Sequence, residues 1–210
     1  MNRGENALLS APAPSVRSLT SPIVTVWDEA VVSVKNGDLN HLHKKVWAAF
    51  TNKAPRDRPR DFLYAPMLES GDDLVSILVR SERLPSHLPH VRRRKMPRSG
   101  ETASFRWLLR LDHKGSRTRR HTLYAKDEAV QCIGARLEES GLTLLGEPDM
   151  MQGCAGFRRD HLYTEILFWE AYGRFRMCDP ECAGNMMLQG LGRMKGFGFG
   201  LLMFDLDAAG

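Results

Sequence analysis

Between Gln189 and Leu202 the sequence gathers five of its 18 glycines, Gly190, Gly192, Gly196, Gly198 and Gly200, around two cations, Arg193 and Lys195. Glycine adopts φ > 0 without strain and lets another backbone approach closely. Successive free N–H groups in such a loop make a concavity for phosphate oxygens, and the two cations add charge. The other residue type suited to phosphate chemistry is histidine, which takes and gives protons near neutral pH. His41 and His43 lie where Leu39, Leu42, Val46, Ala49 and Phe50 recur at helical spacing. His43 falls on that apolar stripe, and His41 is expected on the opposite, wet side. The four cysteines, Cys132, Cys154, Cys178 and Cys182, form no CxxC and no zinc-like pairing with histidine. They are expected to be free thiols in a reducing cytoplasm. No metal site and no cofactor is expected.

The charge distribution agrees with a polyanionic partner. The net charge of the 210 residues is +5, yet between His90 and His121 eleven Lys and Arg stand against two acids. Eight of the eleven cations behind that local +9 fall in two clusters: Arg92, Arg93, Arg94, Lys95 and Arg98, then Arg117, Arg119 and Arg120. A basic charge confined to one segment points to a polyanionic partner more than to general solubility. Hydrophobic content of 42% suits packed cores, and no apolar run approaches the roughly 18 residues of a membrane span. Residues 1–21 lack a signal-peptide core and are expected to form a disordered tail.

The elements that must position these residues follow in order. Pro22–Val34 reads as a strand, Asn36-Gly37-Asp38 as a turn with Asp38 as N-cap, and Leu39 onward as the first helix. Asp61–Leu68 and Leu74–Arg80 read as two further strands. Leu84–Gly100 is rich in Pro, His and Arg and reads as a degenerate remainder plus a linker. A second unit starts at Thr102–Asp112, a strand with Phe105, Trp107, Leu109 and Leu111 on one face and Arg106 and Arg110 on the other. Lys126–Ser140 reads as a helix ended by Gly141, Leu142–Leu145 as a short strand and Leu162–Met177 as a long one broken near Gly173. Asp179-Pro180 starts a last helix, with Asp as cap and Pro at its first position. The helix runs to Gln189, and Gly198–Leu206 reads as the final strand. The class is α+β: two tandem ferredoxin-like (RRM-like) βαββαβ domains, the first with a degenerate second half. The expected boundaries are 22–90 for the first domain, 91–100 for a basic linker and 101–210 for the second domain.

A P-loop is excluded, because its Gly-Lys-Ser/Thr opens a helix, whereas here Gly196 follows Lys195 and a strand comes next. A dinucleotide fingerprint fails in the same way. Lys195-Gly196-Phe197-Gly198-Phe199 matches the first five positions of the RNP1 signature of RNA-recognition motifs, but Gly200 and Leu202 break it. The loop, with Gly190-Leu191-Gly192, Lys195 and Gly198-Phe199-Gly200-Leu201-Leu202, resembles that of the CRISPR repeat-processing endoribonucleases, most closely the CasE type of type I-E systems. Leu42-His43-Lys44-Lys45-Val46-Trp47, then Arg60-Asp61-Phe62-Leu63-Tyr64, resembles that family's histidine-bearing helix and the strand after it. Phe105-Arg106-Trp107-Leu108-Leu109-Arg110 matches a further strand. The likeness spans roughly Ile23 to Leu206.

The resemblance implies metal-independent cleavage of CRISPR precursor RNA at the 3′ base of the repeat stem-loop by attack of a ribose 2′-OH. It implies a protein that stays on the crRNA 3′ hairpin among the backbone and other subunits of a cytoplasmic effector ribonucleoprotein, with no membrane partner. His43 is the implied catalytic residue, and Lys44 is the candidate for charge stabilisation. CasE-type proteins often carry a tyrosine one turn before the histidine, where this chain has Asn40. The RNA-binding candidates are the two basic clusters, Arg158 and Arg159, and Arg193 and Lys195 of the glycine loop. Lys195 is expected to hold the RNA backbone or buttress the loop. The alternative is a non-cleaving subunit that holds the hairpin, and a type IV or transposon-associated system is a related setting.

Overall fold

The computed structural model describes residues 26–50, 61–67, 74–113, 122–159 and 161–207. The first domain opens with strand β1 (Val26–Lys35), helix α1 (Leu39–Phe50), and strands β2 (Phe62–Met67) and β3 (Leu74–Ser81). Asp38 caps α1, its Oδ1 accepting from the His41 N–H at 2.9 Å. A fourth strand, β4 (Arg92–Lys95), lies antiparallel to β1 and pairs Val26 with Lys95 and Glu29 with Arg92. The sheet order is β2-β3-β1-β4, that of a ferredoxin-like domain whose second helix is missing. Part of the expected linker is therefore an edge strand. Arg-Arg-Arg-Lys gave no apolar signal of it, and a row of charges suits an edge that must not pair further.

The second domain comprises β5 (Thr102–Leu109), α2 (Lys126–Glu139), β6 (Leu142–Leu144), β7 (Asp149–Arg159), β8 (Leu162–Met177), α3 (Pro180–Gln189) and β9 (Leu202–Leu206). The main path is β6-β8-β5-β9, the same order as in the first domain. Asp179 caps α3 by accepting from the Glu181 and Cys182 N–H groups. The sequence reading missed β7, which forms a long hairpin with β8. It also expected a break at Gly173, but β8 runs through it. There Gly173 makes room for the Phe105 ring, which a Cβ would meet at 2.9 Å. The last strand starts four residues later than expected, because Gly198 and Gly200 hold φ near +90° and cannot be extended strand.

Each helix face fills one core. Leu42 and Val46 of α1 pack on Val32, Phe62, Tyr64, Ile77 and Val79, with Leu84 and Leu88 standing in for the missing helix. Ile133 and Leu137 of α2 and Met187 of α3 pack on Phe105, Trp107, Leu109 and Phe175. The opposite faces of the two sheets meet each other: Leu63, Ala65 and Leu78 of the first touch Leu201 and Met203 of the second. Trp27 of β1 is fully buried in the second domain's core, edge-on to Phe204. Beside it Arg80 and Glu29 form a buried ion pair at 2.6 Å, and Arg80 also donates to the Met187 carbonyl of α3. Burial pushes the Arg80 guanidinium below its ordinary pKa, and Glu29 opposes that shift. The first turn of α1 spans the same seam, where Leu39 packs with Leu108, Ile166, Phe168 and Phe199.

Candidate active site

The two sequence motifs meet. After α3, Gly190 and Gly200 cross back to back, with the Leu191 N–H donating to the Gly200 carbonyl at 3.0 Å. A Cβ on Gly200 would overlap the Leu191 carbonyl, and one on Gly190 would come within 2.6 Å of the Gly200 carbonyl. Between these crossings the chain turns at Met194, which has φ 59°, and makes a single 3-10 turn over Lys195–Phe197. That turn carries the Gly196 carbonyl to α1. His43 Nδ1 lies 2.5 Å from the oxygen, and Tyr64 Oη of β2 donates to the same oxygen at 2.7 Å.

A carbonyl only accepts, so Nδ1 carries the hydrogen and the neutral His43 ring keeps its lone pair on Nε2. The ring is half-buried between Trp47 and Phe197, with centroids at 5.9 and 5.1 Å. Phe197 in turn meets Phe157 of β7 edge-on at 5.1 Å. An imidazole oriented through Nδ1 with its lone pair on Nε2 is equipped for proton transfer.

His41, expected as a surface residue, folds back over Gly37, and a Cβ there would meet its ring at 2.9 Å. It is half-buried, and its Nε2 is shielded without a hydrogen-bond partner among the described residues. Lys44 is exposed on α1 beside His43. Lys195 Nζ donates to the Gly190 carbonyl at 2.9 Å, tying the loop to the end of α3. Arg193 is half-exposed and pairs at 3.0 Å with Asp112, a carboxylate only 2% exposed that also binds Arg110. Burial pushes the Asp112 carboxyl up, but the hydrogen bonds and charges of Arg193 and Arg110 outweigh that and hold it below the usual carboxylate range. Arg110 reaches on to Met194 Sδ, so the loop is braced from β5 as well.

The basic candidates separate. Arg158 is exposed on β7, and its carbonyl accepts from Asn40 Nδ2 at 2.8 Å, one turn of α1 from His43. Arg159 is the last residue of β7. Arg92, Lys95 and Arg98 are exposed, whereas Arg93 pairs with Asp28, and Arg94 with Glu29, Asp205 and the Phe204 carbonyl. All five lie on or just beyond β4, at the edge of the first sheet opposite β2 and Tyr64. Three strand spacings, about 14 Å, therefore separate that edge from the site. Arg117, Arg119 and Arg120 lie outside the described residues. Among the described residues no three His, Cys, Asp or Glu side chains gather as a metal site, and no helix is long and apolar enough to cross a membrane.

Sequence reasoning missed Tyr64, Phe157 and the Gly196 carbonyl. Tyr64 alternates with Phe62 on the inward face of β2, and that periodicity could have placed it under the helix bearing His43.

A family model described as CRISPR associated protein matches residues 24–205. A search of the curated proteins found no match. Among solved structures, the fold is similar to Thermus thermophilus Cse3 bound to an RNA representing a pre-cleavage complex, with TM-score 0.64 and 19% identity. That match covers 86% of this chain and 99% of the other. Cas6e from Escherichia coli str. K-12 superposes with TM-score 0.62 and 19% identity over 85% of this chain and 98% of the other. A chain of a CRISPR RNA-guided surveillance complex gives 0.62 at 16% identity over 86% of this chain and all of the other.

Proposed function

The chain belongs to the CRISPR associated protein family, and from that premise we propose that it is an endoribonuclease that cuts CRISPR precursor RNA at the 3′ base of the repeat hairpin. The observation that carries the reading is the His43 ring, held through Nδ1 by the Gly196 carbonyl, which leaves its lone pair on Nε2. In the reaction the 2′-oxygen upstream of the scissile phosphate attacks phosphorus and the P–O5′ bond breaks. The products are a 2′,3′-cyclic phosphate and a 5′-OH. Neutral His43 takes the 2′-OH proton at Nε2, and the imidazolium so formed returns that proton to the leaving 5′-oxygen. As the ring becomes cationic, its bond to the Gly196 carbonyl turns charge-assisted and strengthens. Lys44, exposed beside it, offsets charge on the phosphorane. The reaction as written has no step that calls for a metal ion.

Arg158, close to the site, and the exposed cations Arg92, Lys95 and Arg98 on and just beyond β4 are the proposed phosphate contacts, suited to an A-form stem read by shape. Of the similar structures, Cse3 was solved bound to RNA, and another is a chain of a CRISPR RNA-guided surveillance complex. By the same reasoning this protein keeps its cut hairpin and takes a place among the other subunits of such a complex.

The test is cleavage of labelled CRISPR repeat RNA in EDTA by wild type and His43→Ala. The expected result is a single cut at the hairpin base by wild type, slowed about 10²–10⁴-fold by the substitution, with hairpin binding retained. Binding without cleavage by wild type would instead identify a hairpin-holding subunit. Asn40, committed to the Arg158 carbonyl and unable to act as a phenol would, is the feature that favours that second reading.

A further inference from the structure

We propose that Tyr64 is a positioning residue for His43, acting through the Gly196 carbonyl. The inference rests on His43 being the proton-transfer residue. A lone 3-10 turn between two left-handed residues, Met194 and Gly198, leaves the plane of its central peptide weakly determined by its own bonds. Two donors from different elements fix it here, α1 supplying the imidazole and β2 the phenol. They occupy both lone pairs of one carbonyl oxygen.

Tyr64 is 1% exposed, so it acts on His43 and not on RNA. The loop is seated against that side chain: a Cβ on Gly198 would stand 3.1 Å from Tyr64 Cε2 and 2.8 Å from Pro66 Cδ. With the hydroxyl removed, the Gly196 peptide is free to rotate. The imidazole then loses the acceptor that keeps hydrogen on Nδ1 and the lone pair on Nε2. Tyr64, Gly196 and His43 thus form a relay of position, in which a backbone carbonyl orients the imidazole.

Tyr64→Phe keeps the ring and its packing while deleting the donor. Single-turnover cleavage of labelled CRISPR repeat RNA at saturating protein should slow about tenfold, the effect of one lost hydrogen bond, with hairpin affinity unchanged. In ¹⁵N-histidine NMR, wild-type His43 should be the Nδ1–H tautomer and the variant a mixture of both. Wild-type rate and an unchanged tautomer in Tyr64→Phe, beside an inactive His43→Ala, would overturn the positioning role alone. So would a parallel loss of rate and affinity with the tautomer unchanged, the mark of a structural role. Wild-type cleavage by His43→Ala would bring down the functional reading and this inference with it. If Tyr64→Phe failed to fold, the wild-type spectrum would decide, since an Nε2–H tautomer at His43 contradicts the geometry.

Discussion

A carboxylate shared by two guanidiniums gives the glycine loop a brace whose strength depends on pH. The folded Asp112 carboxyl ionises more easily than in the unfolded chain. Its stabilisation is therefore complete above the ordinary carboxylate pKa of about 3.9 and is lost as pH falls through the lower folded value. Asp112→Asn should cost about 1.5–3 kcal/mol near pH 7, the worth of hydrogen bonds to a charged group. In melting curves the gap to wild type should close below about pH 4. A gap independent of pH would mean that the ionic bonds are not what Asp112 contributes. The direction of the His43 side chain was legible from spacing, because an apolar stripe fixes where a helical residue points; the role proposed for it came from the family resemblance. The partner of His43 was not legible, since a backbone carbonyl 153 residues away leaves no trace in residue type. His41 was misread for a related reason: helical phase says outward, but Gly37 opens a niche that accepts the ring.

Within the loop, glycines of the same conformation do different work. Gly200 and Gly192 both have φ near +90°, yet a Cβ overlaps the Leu191 carbonyl at the first and meets nothing closer than 3.8 Å at the second. Gly192→Ala should cost only the left-handed penalty, about 1–2 kcal/mol, and leave cleavage near the wild-type rate. Gly200→Ala must push the crossing strands apart, and should abolish cleavage along with a larger drop in melting temperature. Equal losses in the two variants would show that conformation alone, and not close approach, selects these glycines. Element by element, helices were read more closely than strands. Capping by Asp38 and Asp179 and the apolar stripe of α1 are local signals. β7 was missed because Gly153 and Gly156 interrupt its alternation, although Gly153 is needed where the Phe168 ring lies over the strand. β4 was missed because its four residues are all basic.

The whole molecule is two like domains joined by the faces that their helices leave uncovered. Phe62-Leu63-Tyr64-Ala65 is buried on both sides, the unbroken apolar run that a sheet covered on both faces requires. What no pattern revealed is that Trp27 completes the other domain's core, or that Arg80 is a buried strut. Arg80→Met strands Glu29 among apolar neighbours with Arg94 as its remaining ionic partner, and should cost about 3–5 kcal/mol in urea unfolding. The wild type should unfold in one transition, coincident by tryptophan fluorescence and far-UV circular dichroism; two separated transitions would refute the shared core. The wide spacing of His43 and Gly196 also has a consequence for birth on the ribosome. At about 5–20 residues per second, roughly 8–30 s separate the synthesis of the histidine from that of the carbonyl that aims it. For that interval the nascent first domain shows a bare sheet face, with Trp27 and Arg80 awaiting their neighbours. On the proposed function, the late glycine loop acts as a clock, withholding cleavage until the framework around His43 has been made.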